Sequence, residues 1–159
     1  LEKHVQMHSN DIPSAMLLAE RQIGKDRAAA IKTYEQVLAK TPDNFVVLNN
    51  LAFLALEDKK LTRAEELAKK AVSLQRENAD AADTLAQIYI AKGDKAAALK
   101  LYEEVAARPI ANDDVYLNYV SVLLELDKKA LASRKLASRE FKSEAAKQRA
   151  ESLKQQYGL

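Results

Sequence analysis

Apolar positions along the chain recur at intervals of three and four. In "FVVLNNLAFLALED" the residues Leu48, Leu51, Ala52 and Ala55 fall at i, i+3, i+4 and i+7, which places them on one stripe of a helix. After "DKKL" the stretch "TRAEELAKKAVSLQ" carries a matching stripe of Ala64, Leu67, Ala68, Ala71 and Val72. Neither helix is long enough to hold its shape alone in water, because nucleation is costly and one face is apolar. The pattern therefore predicts helices that pack on each other in pairs.

The pairs repeat. "YEQVLAK" at Tyr34 has a near copy, "YEEVAAR", at Tyr102, and half that separation is a step of 34 residues. Stepping by 34 from Ala30 lands on Ala64, Ala98 and Ala132; from Asn10 it lands on Asn44, Asn78 and Asn112; from Leu17 on Leu51, Leu85 and Tyr119. A small residue repeated once per period marks a close helix crossing, where a larger side chain would force the backbones apart. Asn44, Asn78 and Asn112 each precede a helix, and a side-chain oxygen there caps free N–H groups for roughly 1 kcal/mol each. "KGDK" at Lys92 to Lys95 puts Gly93 where a helix closes in the left-handed conformation, with "GKDR", "DKKL" and "DKKA" at the equivalent turns.

Composition agrees with an all-helical chain: three Gly, three Pro and no Trp, with 48% apolar and 30% charged residues. The longest apolar run is interrupted by Asn49 and Asn50, so no segment reads as membrane-spanning. The absence of cysteine removes disulfides, thiolate metal sites and Cys nucleophiles. Net charge is +2, divided into −4 over residues 1–127 and +6 from Lys128 onward.

The 34-residue helix-turn-helix pattern resembles that of the tetratricopeptide (TPR) repeat family. Leu51-Ala52 and Leu85-Ala86 stand where that family has Leu-Gly, Tyr89 matches its first-helix tyrosine, and Pro42, Asp43 and Asn44 match its closing Pro-Asp-Asn. The first-helix Trp is missing, Arg76 replaces the closing Pro of the second repeat, and Gly24 falls one residue early, which leaves the register of the first helix open by one residue. The resemblance implies an all-α, right-handed superhelical solenoid of antiparallel helix pairs with a C-terminal capping helix. Its expected parts are the tail of a preceding repeat at 1–10, repeats at 11–44, 45–78 and 79–112, a degenerate fourth at 113–142, and a cap at 143–159. Arg139 stands where earlier copies have Val37, Ala71 and Val105, so the outer face of the fourth repeat is expected to accept water. Ala146, Ala150, Leu153 and Tyr157 give the cap one apolar stripe. "LEKHVQMH" reads as the end of an earlier second helix, so the chain is expected to be a piece of a longer protein whose uncovered N-terminal end has a capacity for self-association.

Chemistry is sparse. His4 and His8, at i and i+4, face one way but lack a third ligand, and a solvated helix remnant is the plainer reading. After His8 there is no His or Cys, and acid pairs such as Glu65-Glu66 and Glu103-Glu104 are helical neighbours that do not face each other. No enzyme, cofactor or metal is expected. The basic C-terminal segment scatters its charges around its helices and has few aromatics, so it reads as a solvated cap, with an anionic surface, an acidic partner or nucleic acid as alternatives and nucleic acid the least favoured.

The functional surface implied by the resemblance is the concave groove lined by first helices. Transferred here it comprises Val46, Asn49, Asn50, Phe53, Glu57, Asp80, Asp83, Thr84, Gln87, Asp114, Leu117, Asn118 and Ser121. Amides suit an extended backbone, Phe53 and Leu117 are apolar anchor points, and the acids imply a protein or peptide partner with basic residues. The alternative is that Asn49 and Asn50 only solvate an exposed face. These residues lie off the packing stripes, so their folding role is expected to be small. Asp80 and Thr84 stand where the family's two-carboxylate clamp needs basic residues, and Ala15 and Ala19 replace its Lys and Asn, so chaperone tails are not expected ligands. The phrases "LYEEV", "PDNFVVLNNLAFLALED" and "ADTLAQIYIAKGD" further resemble the C-terminal repeats of bacterial TPR lipoproteins of the PEP-CTERM/exosortase exopolysaccharide systems. That resemblance implies a periplasmic, outer-membrane-anchored parent, favoured slightly over a cytoplasmic one. The expected function is a non-catalytic interaction scaffold; self-assembly without a peptide ligand is the alternative.

Overall fold

The computed structural model describes residues 1–8 and 10–159, and among these it is helical throughout, with ten helices and no strand. In chain order they are α1 (Glu2–Met7), α2 (Ile12–Ile23), α3 (Arg27–Lys40), α4 (Phe45–Glu57), α5 (Leu61–Leu74), α6 (Ala79–Ala91), α7 (Lys95–Val105), α8 (Asp113–Glu125), α9 (Lys129–Ala137) and α10 (Glu144–Tyr157). They fall into two compact units, Leu1–Gln75 and Arg76–Leu159.

In the first unit α2 packs on α3 and α4 on α5, with α3 against α4 and the short α1 against α2. In the second, α6 packs on α7 and α8 on α9, while α8 also receives α6, α7 and α10. Turns of three residues join each packed pair, and such short connections make the partners antiparallel. Ala30, Ala64, Ala98 and Ala132 are all 0% exposed, as expected of residues at helix crossings. Tyr34 and Tyr102, the first letters of the twin phrases, are fully buried as well.

The helix starts are set by side chains. Asn44 accepts from the Val47 N–H, Asn78 from those of Asp80 and Ala81, and Asn112 from that of Asp114. At the start of α2 the cap is Asp11, which accepts from Ser14 N–H and stands 33 residues before Asn44. The cause is one residue fewer in α2 than in α4, α6 and α8. Before that deletion the equivalent positions are 33 apart, so Leu18 and Ala19, not Leu17, do the work of Leu51 and Ala52: Leu17 is 43% exposed and Leu18 8%.

The same deletion changes a turn. Lys59, Gly93 and Asp127 stand one period apart and all have left-handed backbones, with φ of 58°, 86° and 57°. Each is followed by an N–H that reaches back five residues: Lys60 to Ala55, Asp94 to Tyr89, and Lys128 to Leu123. This is the bond that closes a helix around a left-handed residue. After α2 the chain does otherwise: Gly24 is right-handed and the Asp26 N–H returns only four residues, to Gln22.

The core of the second unit gathers Ala98, Tyr102, Ile110, Leu117, Val120, Leu123, Ala132, Leu136, Phe141, Ala146 and Ala150, with Leu153 and Tyr157 packed against it. The stripe read on α10 therefore does cover the end of this core. Arg139 does not behave as the sequence suggests. Its guanidinium is largely withdrawn from solvent, paired with Asp113 at 2.6 Å, and donates to the carbonyls of Ile110 (2.7 Å) and Ala111 (3.2 Å). It also lies over the Tyr116 ring, 4.3 Å from the centroid. Because α9 ends at Ala137, Arg139 belongs to the following loop, and it ties that loop to the start of α8.

Candidate functional site

On α4 the expected surface is open. Val46 and Phe53 are 42% and 48% exposed, two helical turns apart, with Asn49 and Asn50 half-buried between them. Asn50 is not a free amide: its Nδ2 donates to the buried Tyr34 hydroxyl at 3.0 Å, which joins α4 to α3. The Asn49 Oδ1 is buried with no hydrogen-bond partner among the described residues. Glu57, at the end of the same helix, pairs with Arg27, whose guanidinium also meets Asp58 at 3.0 Å.

In the second unit the expected residues separate into solvent-facing and structural groups. Asp80 and Asp114 are exposed, Asp80 accepting from Asn112 Nδ2 at 2.9 Å. Leu117 is 0% exposed and is a core residue, so it offers a partner no anchor point. Thr84 is buried and returns its hydroxyl to the Asp80 carbonyl; Ser121 does the same to that of Leu117.

Asp83, Gln87 and Asn118 belong to one network, in which Tyr102 joins Gln87 to Asp83 and Asp83 joins Asn118. The Tyr102 hydroxyl of α7 donates to Asp83 Oδ1 of α6 at 2.5 Å and receives Gln87 Nε2 at 3.2 Å. Asn118 of α8 donates to both oxygens of Asp83, at 2.9 and 3.1 Å, and its own Oδ1 accepts from Arg149 Nη2 of α10 at 2.6 Å. Burial pushes the Asp83 carboxyl above the usual carboxylate range, against the pull of its Tyr102, Asn118 and Gln87 hydrogen bonds. Burial and then the neighbouring Asp83 charge hold the Tyr102 hydroxyl well above its ordinary value. The expectation of a small folding role does not hold for Asp83, which joins α6, α7 and α8. Sequence reasoning saw Asp83 and Asn118 as surface residues. It missed Tyr102 and Arg149, whose reach across helices no spacing announces.

At the N-terminal end the His4 and His8 rings stack, with centroids 4.6 Å apart, and His4 Nε2 lies 2.8 Å from Asp11 Oδ2. Those hydrogen bonds, from His4 first and Ser14 next, hold the Asp11 carboxyl at about 2. Among the described residues no three His, Cys, Asp or Glu side chains converge as a metal site would need. Between α1, α2 and α3 lies an open cleft of about 660 Å³, floored by Ala15, Leu18 and Val37 and edged by Gln22, Lys32 and Gln36. Among the described residues no helix is long and apolar enough to cross a membrane.

Two models described as tetratricopeptide repeat match the sequence, one over residues 17–88 and the other over 78–108. No curated protein matches the chain in sequence. Among solved structures, MamA superposes with a TM-score of 0.72 at 15% identity, covering 98% of this chain and 87% of that one. A tetratricopeptide repeat protein from Parabacteroides merdae ATCC 43184 gives 0.73 at 18% identity, covering 92% and 60%. The pilF protein of Pseudomonas aeruginosa gives 0.72 at 18% identity, covering 99% and 66%. At these identities the likeness is one of fold, and the fold is the all-α solenoid of paired helices.

Proposed function

We propose, for a chain that belongs to the tetratricopeptide repeat family, a non-catalytic scaffold role in which first-helix surfaces hold a segment of a protein partner. The observation that carries this reading is the α4 face, where Val46 and Phe53 stand exposed on either side of Asn49 and Asn50. An apolar side chain left half in water is a cost that a partner's apolar side chain removes, at about 25 cal/mol per Å² covered. Amides between two such anchors suit the N–H and C=O groups of an extended segment. In the second unit, exposed Asp80 and Asp114 favour a partner with basic residues.

The resemblance to TPR lipoproteins of exopolysaccharide systems supports a further step: the partner is a component of a bacterial envelope, and the protein works in export or protein sorting from the periplasm. Self-assembly is the second reading, and the α1–α3 cleft, with Leu17 and Ile23 exposed on α2, favours it. Affinity capture from a bacterial envelope extract, run with the wild type and with a Val46→Ser/Phe53→Ser variant, tests the scaffold reading. A protein retained by the first and lost by the second supports it; equal retention sinks it. Sedimentation over a range of concentrations tests self-assembly, which predicts growing oligomers.

A further inference from the structure

The second unit carries a position that its own chain fills. Asn118 is held from behind: its Nδ2 is committed to both oxygens of Asp83, and Asp83 is fixed in turn by the Tyr102 hydroxyl. With the amide nitrogen so bound, Oδ1 faces the opposite way, toward α10, as an oriented acceptor. One helical turn earlier on α8 stands the Asp114 carboxylate, 81% exposed. An oriented carbonyl oxygen beside a carboxylate is what a guanidinium fork recognises, with one N–H for each acceptor and the charge next to the acid.

Arg149 supplies that fork. Its Nη2 donates to Asn118 Oδ1 at 2.6 Å while its Nη1 stands 3.6 Å from Asp114. The second contact is long, and the Arg149 side chain remains 38% exposed. Meanwhile α10 is held by Ala146 and Ala150, which are buried in the core, and by Leu153 and Tyr157, which pack against it. The arginine head is therefore free to swing into water without moving its helix, and it leaves behind two acceptors already in place.

We propose that Asn118 and Asp114 form an arginine-recognition site on the scaffold surface, occupied in the free protein by Arg149, and that an arginine of the protein partner binds by displacing it. The proposal rests on the scaffold reading for its biological partner, but the site itself is read independently. Arg149 then acts as an intramolecular competitor: it lowers affinity for isolated basic side chains and reserves the site for a partner anchored elsewhere as well. A lysine, with a single compact charge, reaches one acceptor at a time and competes less well.

The test uses agmatine, an aminoalkyl guanidinium, titrated into the full chain while the Asn118 side-chain NH₂ resonances are followed by NMR. Arg149→Ala is expected to bind agmatine at least tenfold more tightly than wild type, with the Asn118 resonances shifting, with cadaverine, a diamine of equal charge, binding less well, and with added salt weakening the effect. Arg149→Ala/Asp114→Ala, which keeps the Asn118 reporter, is expected to lose the gain. If Arg149→Ala does not fold, Arg149→Gln, which keeps a neutral polar head, goes through the same titration. Equal agmatine affinity in wild type and variant, or shifts confined to residues away from α8 and α10, overturns the proposal. Failure of envelope capture at Val46 and Phe53 leaves this result untouched, so the two ideas fail separately.

Discussion

The hydroxyl of Tyr102 donates to the carboxylate of Asp83 at 2.5 Å, and through that bond the second helix of one pair holds the first. Asn118 joins the same carboxylate from α8, so a single acid serves three helices. Replacing Asp83 by Ala leaves a buried hydroxyl and an amide without their acceptor, at about 1 to 3 kcal/mol for each group left unpaired. Asp83→Ala should therefore lower the melting temperature by several degrees, and Asp80→Ala, at an exposed position, should scarcely move it. Equal melting of the two variants would show the network to be idle.

The raised Asp83 value sets the sign of a pH effect. An unfolded Asp titrates near 3.9, whereas folded Asp83 keeps its proton to a higher pH. The folded state thus binds more protons above about pH 4, and this group's contribution to stability falls as pH rises through the folded value. Asp113 runs the other way: the Lys142 N–H, and next the Arg139 side chain, hold its carboxyl below the usual range. Its contribution is present above about pH 4 and is lost as pH falls through its folded value. In urea unfolding, Asp83→Asn should gain on wild type as pH rises above about 4, whereas Asp113→Asn should lose on wild type as pH rises toward about 4 and hold level above it. A pH-independent gap for Asp83→Asn would contradict the assignment.

The three left-handed turns predict opposite results for one kind of change. Gly93 sits at φ 86°, where a Cβ is strained, so Gly93→Ala should destabilise by about 1 to 2 kcal/mol. Lys59 already carries that strain, so Lys59→Gly should stabilise by a few tenths to about 1 kcal/mol. Gly24 is right-handed, and Gly24→Ala should be neutral or mildly stabilising. Thermal melts of the three variants decide the matter; a loss at Gly24 as large as at Gly93 would contradict the turn assignments.

Ala98 is 0% exposed and belongs to the core of the second unit. Ala98→Leu should cost about 1 to 3 kcal/mol through overpacking, read as a lower midpoint in denaturant. Ala97, one position away on the partly covered side of α7, should accept Leu with much smaller loss. An unchanged midpoint for Ala98→Leu would show a loose crossing.

What the sequence disclosed was whatever repeats. The helix stripes, the alanines at crossings, the Asn caps at 44, 78 and 112 and the turn at Gly93 all recur with one step, and a step is visible in one dimension. The deletion inside α2 broke that step, and so the period aligns Leu17 with Leu51 where Leu18 does that work; the early Gly24 was the signal of it. Arg139 was misplaced for a related reason: the period continues on paper past Ala137, but α9 stops there and the side chain turns back to Asp113. Leu117 shows the limit of transferring a groove position by register alone, since helices around α8 on several sides leave that leucine no exposed face. The links from Asp83 to Tyr102 and from Asn118 to Arg149 join residues 19 and 31 positions apart, and no local pattern encodes them.

The scaffold claim meets its most direct test in site-specific photocrosslinking in living cells. A photoreactive phenylalanine analogue is placed at Phe53 on the exposed α4 face, and at Ser73, exposed on α5, as the control. The account predicts a discrete crosslinked protein from position 53, absent from position 73, and lost from position 53 when Val46→Ser is added. Crosslinking equally strong from position 73, or unchanged by Val46→Ser, would contradict it.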